Sequence, residues 1–170
     1  MKRGGESGQA TLLTMIWLLT AGLALVVMWL SFGYLTQSAN TVERTVQETA
    51  NSAGTAAMTP ATLAQGDPQL DPTLAEQKAE SLLATNLDLV PGTFAPGSWS
   101  PFASTPQIQV VVSNGPFPAQ IAVPFTGTVL TENYPTIVVA IQGDLRNWMG
   151  QAVPNTYWAA SRIYEPGAPP

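Results

Sequence analysis

ATLLTMIWLLTAGLALVVMWLSFGYL, residues 10–35, is a run of 26 residues without a single charge, and the rest of the chain is read outward from it. About 20 apolar residues in a helix span the hydrocarbon core of a bilayer, so this run is long enough to cross one. It holds twelve Leu, Ile, Val and Phe residues. At roughly −0.3 to −0.6 kcal/mol apiece on an insertion scale, these favour the membrane by several kcal/mol. No ionised side chain opposes them anywhere in residues 7–42. A cleaved secretory signal has a shorter apolar core, of about 7 to 15 residues, so a retained transmembrane helix is the expectation.

Lys2 and Arg3 precede the run, and ten acidic against four basic residues follow it. The excess of cations on one side predicts an N-terminus in the cytoplasm and a C-terminus outside, in a single-pass membrane protein. Trp29 and Tyr34, near the outer end, suit an aromatic belt, whereas Trp17 fits an interfacial anchor and apolar bulk equally. Thr20 and Ala24 form a small pair at a spacing of four, which lets another helix approach.

No proline occurs before Pro60. The membrane helix therefore continues outward, and one helix of roughly 50 residues, about 75 Å long, is predicted. Along its outer part Val42, Val46, Ala50, Ala53 and Ala57 recur at spacings of three and four, a narrow stripe of small apolar side chains and the candidate helix-packing face. Such a face needs a neighbour. The chain's own sheet and the same helix of another subunit both satisfy that need, and the residues leave the two open.

Residues 61–73, with Gly66, Pro68 and Pro72, read as a linker. A second helix follows: Asp71 caps it, Pro72 suits its first position, Glu76 lies near its positive end, and Ala75, Ala79, Leu82 and Leu83 share one face, with an end near Asn86. Residues 88–106 are a Pro-rich loop in which Pro91, Pro96, Pro101 and Pro106 recur every five residues among Phe94, Trp99 and Phe102. These aromatics either cover a sheet or form a contact loop. Alternating Ile108, Val110 and Val112 mark a strand; Ile121, Val123, Phe125 and Val129 mark a second; Ile137, Val139 and Ile141 mark a third; and residues 155–164 mark a fourth. Residues 132–135 read as the hairpin turn between the second and third strands, and Pro124 and Gly127 as an edge or bulge in the second. The expected fold is α+β: a short leader over residues 1–9, the transmembrane helix over 10–35, its extension over 36–58, and an extracytoplasmic domain over 59–170 with a second helix and a three- or four-stranded antiparallel sheet.

Composition narrows the chemistry. With six Lys and Arg and a net charge of −5, the chain lacks the clustered cations that nucleic acid requires. With no Cys and no His, it has no disulfides, thiolates, histidine bases or the commonest transition-metal ligands. Asp67, Asp71 and Asp88 lack calcium-loop spacing, and Glu132, Asp144 and Glu165 each sit beside turn signals or near the chain end, where a solvated charge is expected. No cofactor, metal or catalytic residue is predicted, and the protein reads as a non-enzyme.

The N-terminal pattern Gly4, Gly5, Glu6, Ser7, Gly8, Gln9, Ala10 leading into an unbroken apolar helix, followed by Phe32-Gly33-Tyr34, resembles the TadE-like pseudopilins of bacterial tight-adherence pili. The stretch from Val138 through Leu145, the loop at Gly150, and residues 156–166 (TYWAASRIYEP) is similar to that family's final hairpin. The resemblance implies a membrane helix carrying a small outer α+β domain, a structural role in a surface fibre or its assembly, pilin-like subunits and secretion machinery as partners, and removal of a short basic leader. Gly8 and Gln9 are the candidate cleavage junction, although Leu13 stands five residues into the resulting chain, where such leaders are followed by Glu. Two rivals accompany this reading: a membrane-tethered adhesion module gripping its target through the Pro-rich loop, and an accessory subunit of a secretion complex.

Overall fold

The computed structural model describes residues 5–58, 69–147, 149 and 151–163, with side chains from Thr11 onward. Gly4, the linker residues Gly66, Asp67 and Pro68, the loop glycine Gly150, and Tyr164, Glu165 and Pro166 lie outside them, as does the side chain of Gln9, next to Gly8. The fold is α+β. In chain order, α1 (Gly5–Ala56) and α2 (Pro72–Asn86) are followed by β1 (Gln107–Ser113), β2 (Ala119–Ala122), β3 (Val129–Glu132), β4 (Thr136–Arg146) and β5 (Ala152–Arg162).

α1 is one helix of 52 residues, about 78 Å long at 1.5 Å per residue. α2 begins where the sequence says it should. Asp71, in an extended conformation, accepts from the Thr73 and Leu74 amides through Oδ1 at 2.9 and 3.1 Å, and Pro72 occupies the first turn, where its missing N–H costs nothing. The chain between the helices is closed by the Asp71 N–H donating to the Ala57 carbonyl at 2.9 Å. The Asn114 side chain then satisfies both backbone groups of Leu70, each at 2.8 Å.

The main sheet runs antiparallel in the order β1-β4-β5. α1 lies over β4 and β5, and α2 lies beside it over β1. Ile137, Val139 and Ile141 of β4 pack toward the helices in the larger core. Val138, between them, packs the other way into a smaller core with Ile121, Val123 and Leu130. Both faces of β4 are therefore covered, which is why residues 136–141 are buried without alternation.

The second cover comes from a feature that the sequence reading merged. The predicted second strand is two strands, β2 and β3, paired with each other as a separate ribbon. Both strands of this two-stranded ribbon are edges, as Pro124 suggested, but Pro124 and Gly127 themselves make no bulge; they sit in the turn, where the Val123 N–H donates to the Thr128 carbonyl at 2.8 Å and Gly127 takes φ +70°. Residues 132–135 do turn the chain, but β3 and β4 are not hydrogen-bonded to each other, so this is a crossing between sheets and not a hairpin. The last strand starts at Ala152, three residues before the expected position. Gly143 permits a close approach in β4: a Cβ there would stand 2.9 Å from both Phe102 and Pro106.

Candidate functional site

α1 has two unlike halves. From Leu12 to Tyr34 its large apolar side chains face open space; Trp17, Trp29 and Phe32 are each more than 70% exposed. This stem is long and apolar enough to cross a membrane, with a mean hydropathy of 2.2 over its best window and none of that window buried. The hydroxyls of Thr20 and Ser31, and of Thr36 just beyond the stem, are satisfied by the helix itself: Thr20 donates to the Ile16 and Trp17 carbonyls at 2.9 and 3.0 Å, Ser31 to Val27 at 3.0 Å, and Thr36 to Phe32 at 2.9 Å. Such internal bonds leave no hydroxyl donor of these residues to be desolvated unpaired.

The other half is the spine of the domain. Leu35 and Ala39 pack against the core, Ser38 is buried, and from Val42 the burial is complete along one face. The stripe Val42, Val46, Ala50, Ala53 and Ala57 is therefore covered by the chain's own α2 and sheet, at 0–1% exposure. Burying each valine is worth about 1.5–3 kcal/mol. The alternative of an intersubunit face is corrected accordingly, because no part of the stripe is free for another helix. Residues 36–58 extend the same helix without a break as far as Ala56, and their buried face belongs to the core of the domain.

The Pro-rich loop also divides. Phe102 is fully buried and forms a bridge with Leu145, and Phe94 is half-buried against the core, so these two cover the fold. Trp99 alone stands out, at 91% exposure. Its position is held from the backbone side. The Asp88 carboxylate accepts the Trp99 amide at 2.7 Å, and the Asp88 carbonyl accepts the Gly97 amide at 2.7 Å. Asp88 itself has φ +50°, a conformation that Asp tolerates better than most residues. The contact loop thus reduces to one presented indole.

The described carboxylates among the candidates, Asp71, Asp88, Glu132 and Asp144, have structural partners. Asp71 caps α2, and Asp144 accepts from the Ser104 hydroxyl at 3.0 Å. Among the described residues, no group of three His, Cys, Asp or Glu side chains gathers to hold a metal. Glu132 departs most from expectation. In place of a solvated charge there is a buried carboxylate, 4% exposed, gripped in two-pronged fashion by Arg162 through Nε at 2.6 Å and Nη2 at 2.9 Å. The pair joins β3 to β5 and so clamps the ribbon onto the main sheet. Because Arg162 is itself half exposed, its loss of a partner is softened by water, and Glu132→Ala is expected to lower stability by about 1–2 kcal/mol. A double-mutant cycle with Arg162→Ala, read by thermal unfolding, isolates the pair; an interaction energy near zero would contradict the clamp.

Among the described residues, Tyr157 has a perturbed titration. Burial pushes its phenol above the ordinary range, the Glu43 carboxylate adds to this, and the Asn155 amide, donating to the phenol oxygen at 2.8 Å, partly offsets both. The native state then holds a proton that the unfolded chain has released, so stability falls as pH rises above about 10. Tyr157→Phe should flatten that alkaline decline in thermal-unfolding profiles.

Comparison with protein-family models, with curated proteins and with solved structures found no match to this chain. The functional reading accordingly rests on the bare stem, the domain built directly on it, and Trp99.

Proposed function

We propose that this protein is a pilin-like, TadE-like structural subunit or assembly factor of a bacterial surface fibre, stored in the cytoplasmic membrane with its N-terminus inside and its domain outside. The observation that carries this reading is the division of α1: one uninterrupted helix is bare and apolar for its first half and becomes the spine of a small α+β domain for its second. A helix of that kind serves two environments. In the bilayer its bare half is covered by lipid; in a fibre the same half is covered by copies of itself or of related subunits. The packing surface between subunits is therefore the stem, residues 11–34, and not the Val42-to-Ala57 stripe.

Lys2 and Arg3 ahead of the stem, and the acidic balance behind it, support the orientation. The adhesion alternative keeps a single exposed aromatic from its three loop residues, which makes it the weaker reading. Mass spectrometry of the mature N-terminus in membrane and sheared-surface fractions tests the assignment. A fibre subunit appears in the sheared fraction with the stem intact, beginning at Gln9 if the leader is removed; an assembly factor is confined to membranes. A chain that occurs only free in the medium and without its stem would contradict both.

A further inference from the structure

The topology brings Trp99 and Met149 to the end of the domain from which the stem emerges. α2 starts beside Ala57, at the far end, and returns about 22 Å along α1, which delivers Asp88 and the loop that follows to the stem end. β4 runs the same way: Ile137 lies against Gly54 at the far end, and Arg146 is nine residues on, about 30 Å along the strand. Allowing for the tilt between strand and helix, Arg146 is level with roughly residues 34–39 of α1. There the loop is tied to β4, with the Arg146 N–H donating to Pro101 at 2.8 Å and the Ala103 N–H donating to Asp144 at 2.7 Å. The turn after β4 is closed by Asn147 and Gln151, whose backbones and side chains bond to each other at 2.7–3.0 Å. That turn carries Met149 at 53% exposure, and Trp99 hangs from Asp88 at the same end.

No spacer separates this end from the apolar run. The run closes at Leu35, and Leu35 is already packed against the domain. A headgroup layer is about 5–7 Å deep on each side of the hydrocarbon core. A domain that starts at the last apolar residue of its stem has its lower surface within that layer. The side chains that surface presents are the kind an interface favours, an indole and a thioether, and the indole carries an N–H for headgroup oxygens.

We propose that the stem end of the domain, through Trp99 and Met149, is seated in the headgroup layer of the same bilayer that α1 crosses, a second and interfacial contact with lipid. It rests on the membrane-spanning reading of the stem. The contact fixes the domain upright on the membrane, and leaving the membrane for a fibre requires it to be broken.

The chain has no cysteine, so single cysteines report cleanly. Trp99→Cys, Met149→Cys, Val129→Cys at the far ribbon and Val26→Cys within the stem are each labelled with a nitrobenzoxadiazole fluorophore. All four residues are exposed, so labelling leaves the core untouched. The full-length proteins are reconstituted in phosphatidylcholine–phosphatidylglycerol vesicles carrying nitroxides either near the headgroup or near the bilayer centre. The expected result is blue-shifted emission at positions 99 and 149, quenched more by shallow than by deep nitroxides. Position 26 should show the reverse preference, and position 129 should show no quenching. Deep quenching at position 26 together with solvent-like, unquenched emission at positions 99 and 149 would overturn the interfacial seat and leave the span standing. Absence of quenching at position 26 would overturn the span itself, and the seat with it.

Discussion

Val46→Asp is expected to abolish cooperative unfolding of the full-length chain in detergent. The Val46 side chain is 1% exposed at the centre of the α1 face that meets α2 and the sheet. A carboxylate placed there loses about 1.5–3 kcal/mol of apolar burial and adds the cost of an unpaired buried charge, so a total of about 4 kcal/mol or more is reasonable. Domains are stable by only about 5–15 kcal/mol, and a small one lies near the bottom of that range, so a loss of this size removes most of its margin. Asn51→Asp, on the exposed side of the same helix, is the control and should change stability by no more than about 0.5 kcal/mol. Circular dichroism melts of the two variants decide the matter. If the stripe met only other subunits, Val46→Asp would melt like the parent and fail only in assembly; that outcome would contradict the packing described here.

The second large effect concerns the stem. Leu19 and Leu23 lie near the middle of the apolar run, both fully turned to the outside of the helix. Replacing one such leucine by arginine exchanges a gain of about 0.5 kcal/mol for a cost of about 2.5–3.5 kcal/mol on the insertion scale. The double variant Leu19→Arg, Leu23→Arg therefore cancels the several kcal/mol that the whole run supplies. It should move the protein from the alkali-resistant membrane pellet to the extractable fraction, whereas Leu19→Ala, Leu23→Ala remains in the pellet. Unchanged retention of the double arginine variant would mean that something other than the stem anchors the chain.

The parts of this fold that were legible in the sequence are those specified locally. The length of α1 follows from the absence of proline before Pro60, and the start of α2 from Asp71-Pro72, because helix breakers and caps act over one turn. The third strand was legible from Ile137, Val139 and Ile141, which do line one face. What was not legible depends on pairing at a distance. Ile121, Val123, Phe125 and Val129 alternate as well across a turn as along a strand, so the ribbon β2–β3 read as one element; the cue lay in Gly127, which supplies the positive φ that the turn needs. The covering of the Val42-to-Ala57 stripe required knowing that α2 folds back along α1. Glu132 and Arg162 are 30 residues apart, and no local pattern announces that a carboxylate beside a turn will be buried under a guanidinium. For the candidate site, the stem was apparent from composition alone, whereas the isolation of Trp99 from Phe94 and Phe102 was set by which aromatics the sheet and α2 absorb.

Labelling of the otherwise cysteine-free chain at Val129→Cys, in intact spheroplasts with a membrane-impermeant maleimide, tests the central claim that residues 10–35 hold an outward-facing domain at the bilayer. The account predicts modification without permeabilisation, on a full-length stem-bearing chain that stays in the membrane pellet after alkaline extraction. Modification only after permeabilisation, or on a soluble chain lacking its first forty or so residues, would contradict it.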